Sequence, residues 1–159
     1  DSDSFFALGC LGGGVDVAFI DGLHTFEQSL KDVTNSLKYL SPGGVIIMHD
    51  CNPQSEVAAS PVHSIDPSAT SNIQDWKIIW NGDVWKTICY LRSAHRDLNV
   101  FVLDCDQGLG IITRGNSEDT LSFTPEQIDN LTYKDLAKDR KKLLNLKDSD
   151  YLFDFLKTV

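Results

Sequence analysis

Short apolar runs alternate with a longer amphipathic stretch in the first third of the chain. Val15–Ile20 and Val45–Met48 are rich in strand-forming residues without clean polar alternation, which is typical of strands covered on both faces. Between them, apolar residues recur at steps of four and three, as on one face of a helix: Phe26, Leu30, Val33, Leu37 and Leu40. The pattern predicts a strand–helix–strand unit whose two strands are parallel neighbours.

One helix is predicted before this unit and another after it. Asp1–Leu8 predicts a helix that is capped by Ser2 or Asp3 and has three residues facing inward: Phe5, Phe6 and Leu8. Asp83–His95 predicts a helix with Asp83 as N-cap and a buried face formed by Val84, Ile88 and Leu91. The weakly periodic residues 52–82 predict a lid, a binding loop or a disordered segment.

Two further strands and a helical tail complete the predicted fold. Asn99–Leu103 and Leu109–Thr113 are joined by a link too short to cross over a sheet, which predicts an antiparallel hairpin. Thr124 before Pro125 predicts a helix start, and helices are expected at Tyr133–Leu146 and Tyr151–Leu156. We expect an α/β domain over residues 1–115 with a helical extension over residues 116–159 packed on it.

Charge and composition narrow the classes of function. The 159 residues carry 14 Lys and Arg against 23 Asp and Glu, a net charge of −9, which argues against a nucleic-acid partner. No apolar run approaches the roughly 18–20 residues of a membrane span. The four cysteines form no CxxC pair, so free thiols and a cytoplasmic protein are expected. The first residue is Asp rather than Met, so we expect the chain to begin inside a longer or processed protein.

Acidic and imidazole side chains follow the two predicted parallel strands. Asp21 and His24 come after the first, and His49, Asp50 and Asn52 come after the second. Ligands bind beyond the carboxyl ends of strands in open α/β sheets, so these side chains are candidates for one site. Carboxylate and amide oxygens suit Mg²⁺ or Ca²⁺, and imidazole would admit Mn²⁺, Fe²⁺ or Zn²⁺. A histidine there could equally be a general base.

Purely structural roles are alternatives to the functional ones for these residues. Asp21 could only hold its loop or cap the next helix, and His24 could only form a hydrogen bond at the helix entry. His63 and His95 are expected at the surface, and Cys51 lacks the adjacent base that a thiol nucleophile needs. The predicted role of Trp76, Trp80 and Trp85 is to anchor loops.

Three segments together resemble a known family. VDVAFIDGLHTFEQSLKDVTNSLKYLSPGGVIIMHDCNP, NGDVWKTICYLR and DCDQGLGII are similar to class I S-adenosylmethionine-dependent methyltransferases, most closely to a bacterial group with IDG-H-T and HD signatures. The resemblance covers roughly residues 1–115. It implies a truncated Rossmann-like α/β sheet that contains strands four to seven of the family, the last antiparallel, with helices on both faces.

The resemblance also implies roles for individual residues. The cofactor S-adenosylmethionine would contact Ser2, Asp3 and Asp21. The glycine-rich loop that binds this cofactor in the family is absent from this sequence. By analogy with metal-dependent O-methyltransferases, Asp21 and Asp50 would hold a divalent metal such as Mg²⁺, and His24 would be the catalytic base. Cys51 stands where those enzymes have an amide ligand, so Asn52 would substitute.

The sequence therefore favours part of a methyltransferase that acts on a small hydroxylated metabolite and is inactive alone. Asp21, His24 and Asp50 would be its catalytic residues. Two alternatives stay open. One is a non-enzymatic fragment that forms a homodimer through an exposed sheet edge at Val15–Ile20. The other is a metal-dependent hydrolase that uses Asp21, Asp50 and His49.

Overall fold

A computed structural model describes residues 1–9, 13–61 and 80–157. Its elements follow in chain order: α1 (Ser2–Ala7), β1 (Val15–Ile20), α2 (Phe26–Tyr39), β2 (Leu40–Met48), α3 (Trp85–Ala94), β3 (Leu98–Leu103), β4 (Leu109–Arg114), α4 (Pro125–Asp129), α5 (Tyr133–Leu144), β5 (Leu146–Lys147) and α6 (Tyr151–Phe155). The α/β class that the sequence predicts is confirmed.

The five described strands form one mixed sheet in the order β1-β2-β4-β3-β5. β1 and β2 are parallel, and β4 runs antiparallel to both β2 and β3. The predicted parallel pair and the predicted hairpin are therefore present, and the last strand of the hairpin inserts beside β2. β5 was not predicted: Asn145 adopts a left-handed φ of 48° that ends α5, so Leu146 and Lys147 pair with β3 instead of continuing the helix.

Strand β1 is an open edge of this sheet. The prediction that both of its faces are covered is wrong, because Val17 and Phe19 are 58% and 60% exposed. Ala18 and Ile20 point the other way and pack against the core. The physical reason is the position of the strand: among the described elements, β2 is its one hydrogen-bonded neighbour and none covers the face of Val17 and Phe19.

Helix α1 lies at the margin of the molecule. Asp1 is its N-cap, in place of the predicted Ser2 or Asp3, and its carboxylate accepts a hydrogen bond from the Ser4 backbone at 2.7 Å. The prediction that its apolar residues face inward is wrong as well, since no residue of α1 is buried and Phe5 and Leu8 are exposed. The helix reaches α2 through the Phe6 ring, which stacks on Tyr39 with centroids 6.0 Å apart.

Helix α2 is capped from two places in the chain. The Thr25 hydroxyl accepts a hydrogen bond from the Gln28 backbone, and Asp83 accepts one from the Phe26 backbone at 2.7 Å. The prediction of Asp83 as the N-cap of α3 is therefore wrong, because its carboxylate stabilises the exposed donors of α2 and α3 begins after Val84. The predicted buried face of α3 is confirmed: Val84, Ile88 and Leu91 are all buried.

The segment after residue 115 shares the main core. Leu121, Leu136 and Leu144 belong to the same buried cluster as Ile46 and Ile88. The buried Arg92 side chain of α3 donates to the carbonyl of Leu143 at 2.9 Å and to that of Lys142, and so ties α3 to the end of α5. The helix start predicted at Thr124 is confirmed, because Thr124 is the N-cap of α4 and also forms a capping box with Gln127.

Candidate functional site

The predicted site residues meet where β1 and β2 end. Ile20 and Met48 pair across the two strands, and the His49 backbone donates to the carbonyl of Ile20 at 2.9 Å. Asp21 and His49 thus leave the sheet side by side. Asp21, His24 and Asp50 each offer one potential metal-ligand atom, and these three atoms all lie within 4.8 Å of one another. The structure therefore brings together the three residues that the sequence nominates as catalytic.

Asp50 is the buried centre of this cluster. Its backbone has a left-handed φ of 63°, and the residue is 4% exposed. One carboxylate oxygen, Oδ2, lies 3.1 Å from His24 Nε2 and 3.1 Å from His49 Nδ1, and Asn81 donates to Oδ1 at 2.9 Å. Burial raises the pKa of the Asp50 carboxyl above its ordinary value, and the two histidines only partly offset this effect.

His24 is held in one tautomer. Its Nδ1 lies 2.7 Å from the carbonyl oxygen of Trp80, which can only accept, so Nδ1 carries a hydrogen. In neutral His24 the lone pair of Nε2 then faces Asp50 Oδ2 at 3.1 Å and Asp21 Oδ1 at 3.7 Å. Nε2 is therefore the nitrogen of neutral His24 that can accept a proton or bind a metal ion.

His49 contacts the same carboxylates from the other side. Its Nδ1 is 3.6 Å from Asp21 Oδ1, and its Nε2 is 3.6 Å from Asp106 Oδ2 in the β3–β4 turn. Desolvation lowers the pKa of His49, but the carboxylates of Asp50, Asp21 and Asp106 outweigh it, so the pKa is raised above its ordinary value.

Asn52 does not join the cluster. Its amide donates to Asp104 at 2.9 Å, and its oxygen accepts from Arg140 of α5. Arg140 also donates to the carbonyl of Pro53 at 2.7 Å. The side chain predicted as an amide ligand instead links the end of β2 to the β3–β4 turn and to α5.

A cleft of about 720 Å³ opens beside the cluster, on the α1 side of β1. Ser2, Asp3 and Asp21, the three predicted cofactor contacts, line it. Gln28 joins two of them, because its amide lies 3.2 Å from Ser2 Oγ and 3.4 Å from Asp3 Oδ1. Aromatic residues also line the cleft: Phe5, Phe6, Phe19 and Tyr39. Asp21 is therefore shared between the cleft and the histidine cluster.

Residues 80–83 contribute partners that sequence reasoning missed. Trp80 and Asn81 hold His24 and Asp50 as described above. The one available signal was the similarity of NGDVWKTICYLR to the methyltransferase group, which marks the segment without assigning roles. Trp80 lies against His24, ring centroids 5.0 Å apart, which agrees with the predicted role as a loop anchor.

The remaining candidates lie apart from the chemistry. Cys51 is buried, and burial raises the pKa of its thiol far above the ordinary value, so it is a poor nucleophile. His95 is at the surface, 3.6 Å from Asp97. Cys10, His63 and Trp76 lie outside the described residues.

The first part of the chain is similar to a known protein family. Residues 1–51, which include Asp21, His24 and Asp50, match the family model described as "Methyltransferase domain". The resemblance to methyltransferases is confirmed for this segment. No curated protein matches the chain.

Among solved structures, the chain is similar to an O-methyltransferase family protein from Burkholderia thailandensis. The two share 17% sequence identity with a TM-score of 0.39, over 75% of this chain and 34% of that one. The chain thus covers about a third of the length of that protein.

Proposed function

We propose that this chain forms the acceptor-side part of an S-adenosylmethionine-dependent O-methyltransferase whose substrate is a small hydroxylated metabolite. One observation carries the proposal: Asp21, His24 and Asp50 converge at the strand ends, within a segment that matches methyltransferases and beside a cleft. A cleft of about 720 Å³ is within the usual size of a small-molecule site.

The roles of the three residues follow from their surroundings. His24 Nε2 would take the proton of the acceptor hydroxyl, because Nδ1 carries the hydrogen that the Trp80 carbonyl accepts and Nε2 has the remaining lone pair. Asp50, 3.1 Å away, would stabilise the imidazolium that forms. Asp21 lines the cleft and would orient the acceptor toward the methyl group that the cofactor supplies, so catalysis would rest on positioning and charge.

The cleft residues fit the nucleoside part of the cofactor. Ser2 and Asp3 offer a hydroxyl and a carboxylate, and the aromatic lining residues would pack against a planar base. The sequence holds no strand followed by a glycine-rich turn of the kind that binds the methionine part in this family. We therefore propose that the chain alone binds the cofactor weakly and is inactive alone.

The cluster also fits a divalent metal, with a changed ligand set. Asp21 Oδ1 and Asp50 Oδ2 are suitable oxygens, but Asn52 is engaged elsewhere and the Nε2 nitrogen of His24 would take its place. Carboxylates with imidazole suit Mn²⁺, Fe²⁺ or Zn²⁺ better than Mg²⁺. In such a metal-loaded site His24 would be a ligand, and His49 Nδ1 would be the nearest remaining base, 3.1 Å from Asp50.

Self-association and cellular location are proposed on separate grounds. The unpaired edge and bare face of β1 support a homodimer formed through Val15–Ile20. Cys51, Cys89 and Cys105 are free thiols, which supports a cytoplasmic protein. No helix in the described ranges is long and apolar enough to cross a membrane.

Calorimetric titration with adenosine and with S-adenosylhomocysteine tests the proposed function. We expect both to bind with affinities within about threefold of each other, because the methionine part gains no protein contacts. Asp3→Asn should weaken both, because a carboxylate acceptor in the cleft is lost, and the control Asp16→Asn, an exposed residue of β1 outside the cleft, should weaken neither.

Two results would contradict it. A chain that binds neither compound has no cofactor cleft. Binding of S-adenosylhomocysteine about a hundredfold tighter than adenosine would instead show that the chain holds the methionine part as well.

A further inference from the structure

The tetrapeptide Trp80–Asp83, which we call the strap, contacts both His24 and Asp50, which we call the catalytic pair. The Trp80 carbonyl holds His24 Nδ1 at 2.7 Å, and Asn81 Nδ2 donates to Asp50 Oδ1 at 2.9 Å. Asp83 caps α2, which starts two residues after His24. The strap is itself anchored, because the backbones of Asn81 and Gly82 both donate to the carbonyl of Ala58 at 2.9 Å.

Gly82 makes this close approach feasible. Its φ is 64°, and a Cβ placed on it would stand 1.9 Å from the His24 carbonyl oxygen. A side chain at this position would push the strap away from His24, since such a distance is impossible between non-bonded atoms. The strap and the His24 loop therefore fit each other only with glycine here.

Asn81 is the member of the strap whose side chain contacts the Asp50 carboxylate. It is completely buried, yet its Oδ1 has no hydrogen-bond partner, and a buried unsatisfied acceptor is destabilising. A leucine of similar size would avoid that cost but could not donate to Asp50. The Asn81 amide thus accepts this cost while Nδ2 donates to Asp50 Oδ1 at 2.9 Å and, over a longer distance of 3.4 Å, to the Gln107 carbonyl.

We propose that Asn81 is a positioning residue: its amide fixes Asp50 Oδ1 so that Oδ2 faces His24 and His49. This inference rests on the proposed function, because it gives Asn81 its purpose through Asp50. The strap then sets both members of the pair, His24 through the Trp80 carbonyl and Asp50 through the Asn81 amide. Their 3.1 Å separation is fixed by one short piece of chain.

The test compares Asn81→Leu with a matched control, Asn99→Leu. Asn99 lies in β3 and also has a buried Oδ1 without a partner, so its replacement removes the same kind of defect away from the site. We expect Asn81→Leu to shift the imidazole NMR signals of His24 and His49 at fixed pH while the melting temperature stays equal to or above that of the parent. Asn99→Leu should leave those signals in place.

A second variant keeps the test decisive if Asn81→Leu does not fold. Asn81→Asp keeps the shape and replaces the donor with an acceptor, so it should shift the same imidazole signals. Unchanged signals in the folded variants would overturn the inference. So would an Asn81→Leu protein that melts earlier with signals displaced throughout the sheet, because Asn81 would then be an ordinary structural residue.

The outcome is separable from that of the proposed function. Imidazole shifts without any binding of adenosine would retain Asn81 as the residue that positions Asp50 and reject the methyltransferase role. Adenosine binding with unchanged imidazole signals would support the methyltransferase role and reject the positioning role of Asn81.

Discussion

At the scale of single residues, the site depends on backbone conformations that only certain side chains tolerate. Asp50 and, in the facing turn, Asp106 and Gln107 have positive φ values of 63°, 43° and 61°. The backbones of Cys51 and Asn52 donate to the carbonyls of Gly108 and Gln107 at 2.9 and 2.8 Å, so the two bends hold each other. This mutual hydrogen bonding offsets the strain of the left-handed residues.

Gly108→Ala should be much more disruptive than Gly43→Ala. Both glycines have positive φ, +90° and +76°, but a Cβ at Gly108 would stand 2.3 Å from the Asn52 Cβ, whereas nothing lies within 4 Å of one at Gly43. We expect Gly108→Ala to lower the free energy of unfolding by about 2–4 kcal/mol and Gly43→Ala by about 1 kcal/mol. Urea denaturation measures both. Equal losses would mean that the two bends separate easily.

At the scale of elements, one acidic side chain, Glu118, adds hydrogen bonds to the packing of α6 against the sheet. The Tyr151 hydroxyl donates to Glu118 Oε1 at 2.8 Å, and Lys147 Nζ lies 3.2 Å from Glu118 Oε2. The hydrogen bond from Tyr151, with a smaller contribution from Lys147, lowers the pKa of Glu118 below its ordinary value. The Tyr151 ring also meets Phe101 edge-on, with centroids 5.2 Å apart.

Tyr151→Phe should destabilise the protein at neutral pH but not in acid. Because the pKa of Glu118 is lower in the folded state, its stabilisation is present above the ordinary glutamate pKa and disappears as the pH falls through the folded-state value. Melting temperatures of parent and variant should therefore differ near pH 7, and the difference should shrink as the pH falls below the ordinary glutamate pKa. Tyr133→Phe is the control, since Tyr133 donates to the Gln54 carbonyl, which does not titrate. A difference that persists in acid would assign the effect to packing.

The elements also show how much of the fold and of the site could be predicted from the sequence. The strand–helix–strand unit and the hairpin are predictable because hydrophobic period and loop length determine them locally. The convergence of Asp21, His24 and Asp50 follows from strand direction alone. The roles of Asn81, Arg140 and Asp83 do not, because each contacts a residue at least 31 positions away along the chain. The exposed face of β1 was missed since composition cannot show which neighbours a strand lacks.

At the scale of the whole molecule, apolar exposure is concentrated on one side. Seven large apolar residues are exposed within the described ranges, and five of them lie on or near α1 and β1: Phe5, Leu8, Val17, Phe19 and Leu23. The net charge of −9 opposes association, whereas an open strand edge beside exposed apolar side chains favours it. We expect association through the β1 edge to outweigh charge repulsion once salt screens the net charge.

Val17→Lys should disperse a dimer formed through β1. A lysine on an edge strand places a charge where the second copy would pack, and Val17 is 58% exposed, so the fold itself should tolerate it. Light scattering over a range of protein concentrations should find a dimer for the parent and a monomer for the variant. Phe153→Lys is the control, because Phe153 is 65% exposed on α6, away from the edge. A parent that is monomeric at every concentration would exclude the homodimer.

Strand β5 has a consequence for the size of any assembly. It places a two-residue strand and the final helix at the end of the sheet opposite β1, and so short a strand is a poor template for further pairing. Among the described strands, β1 is therefore the one long edge through which a second copy could pair. Two copies that meet through their β1 strands use up the growing end of both, so the assembly closes as a pair and does not propagate into a filament.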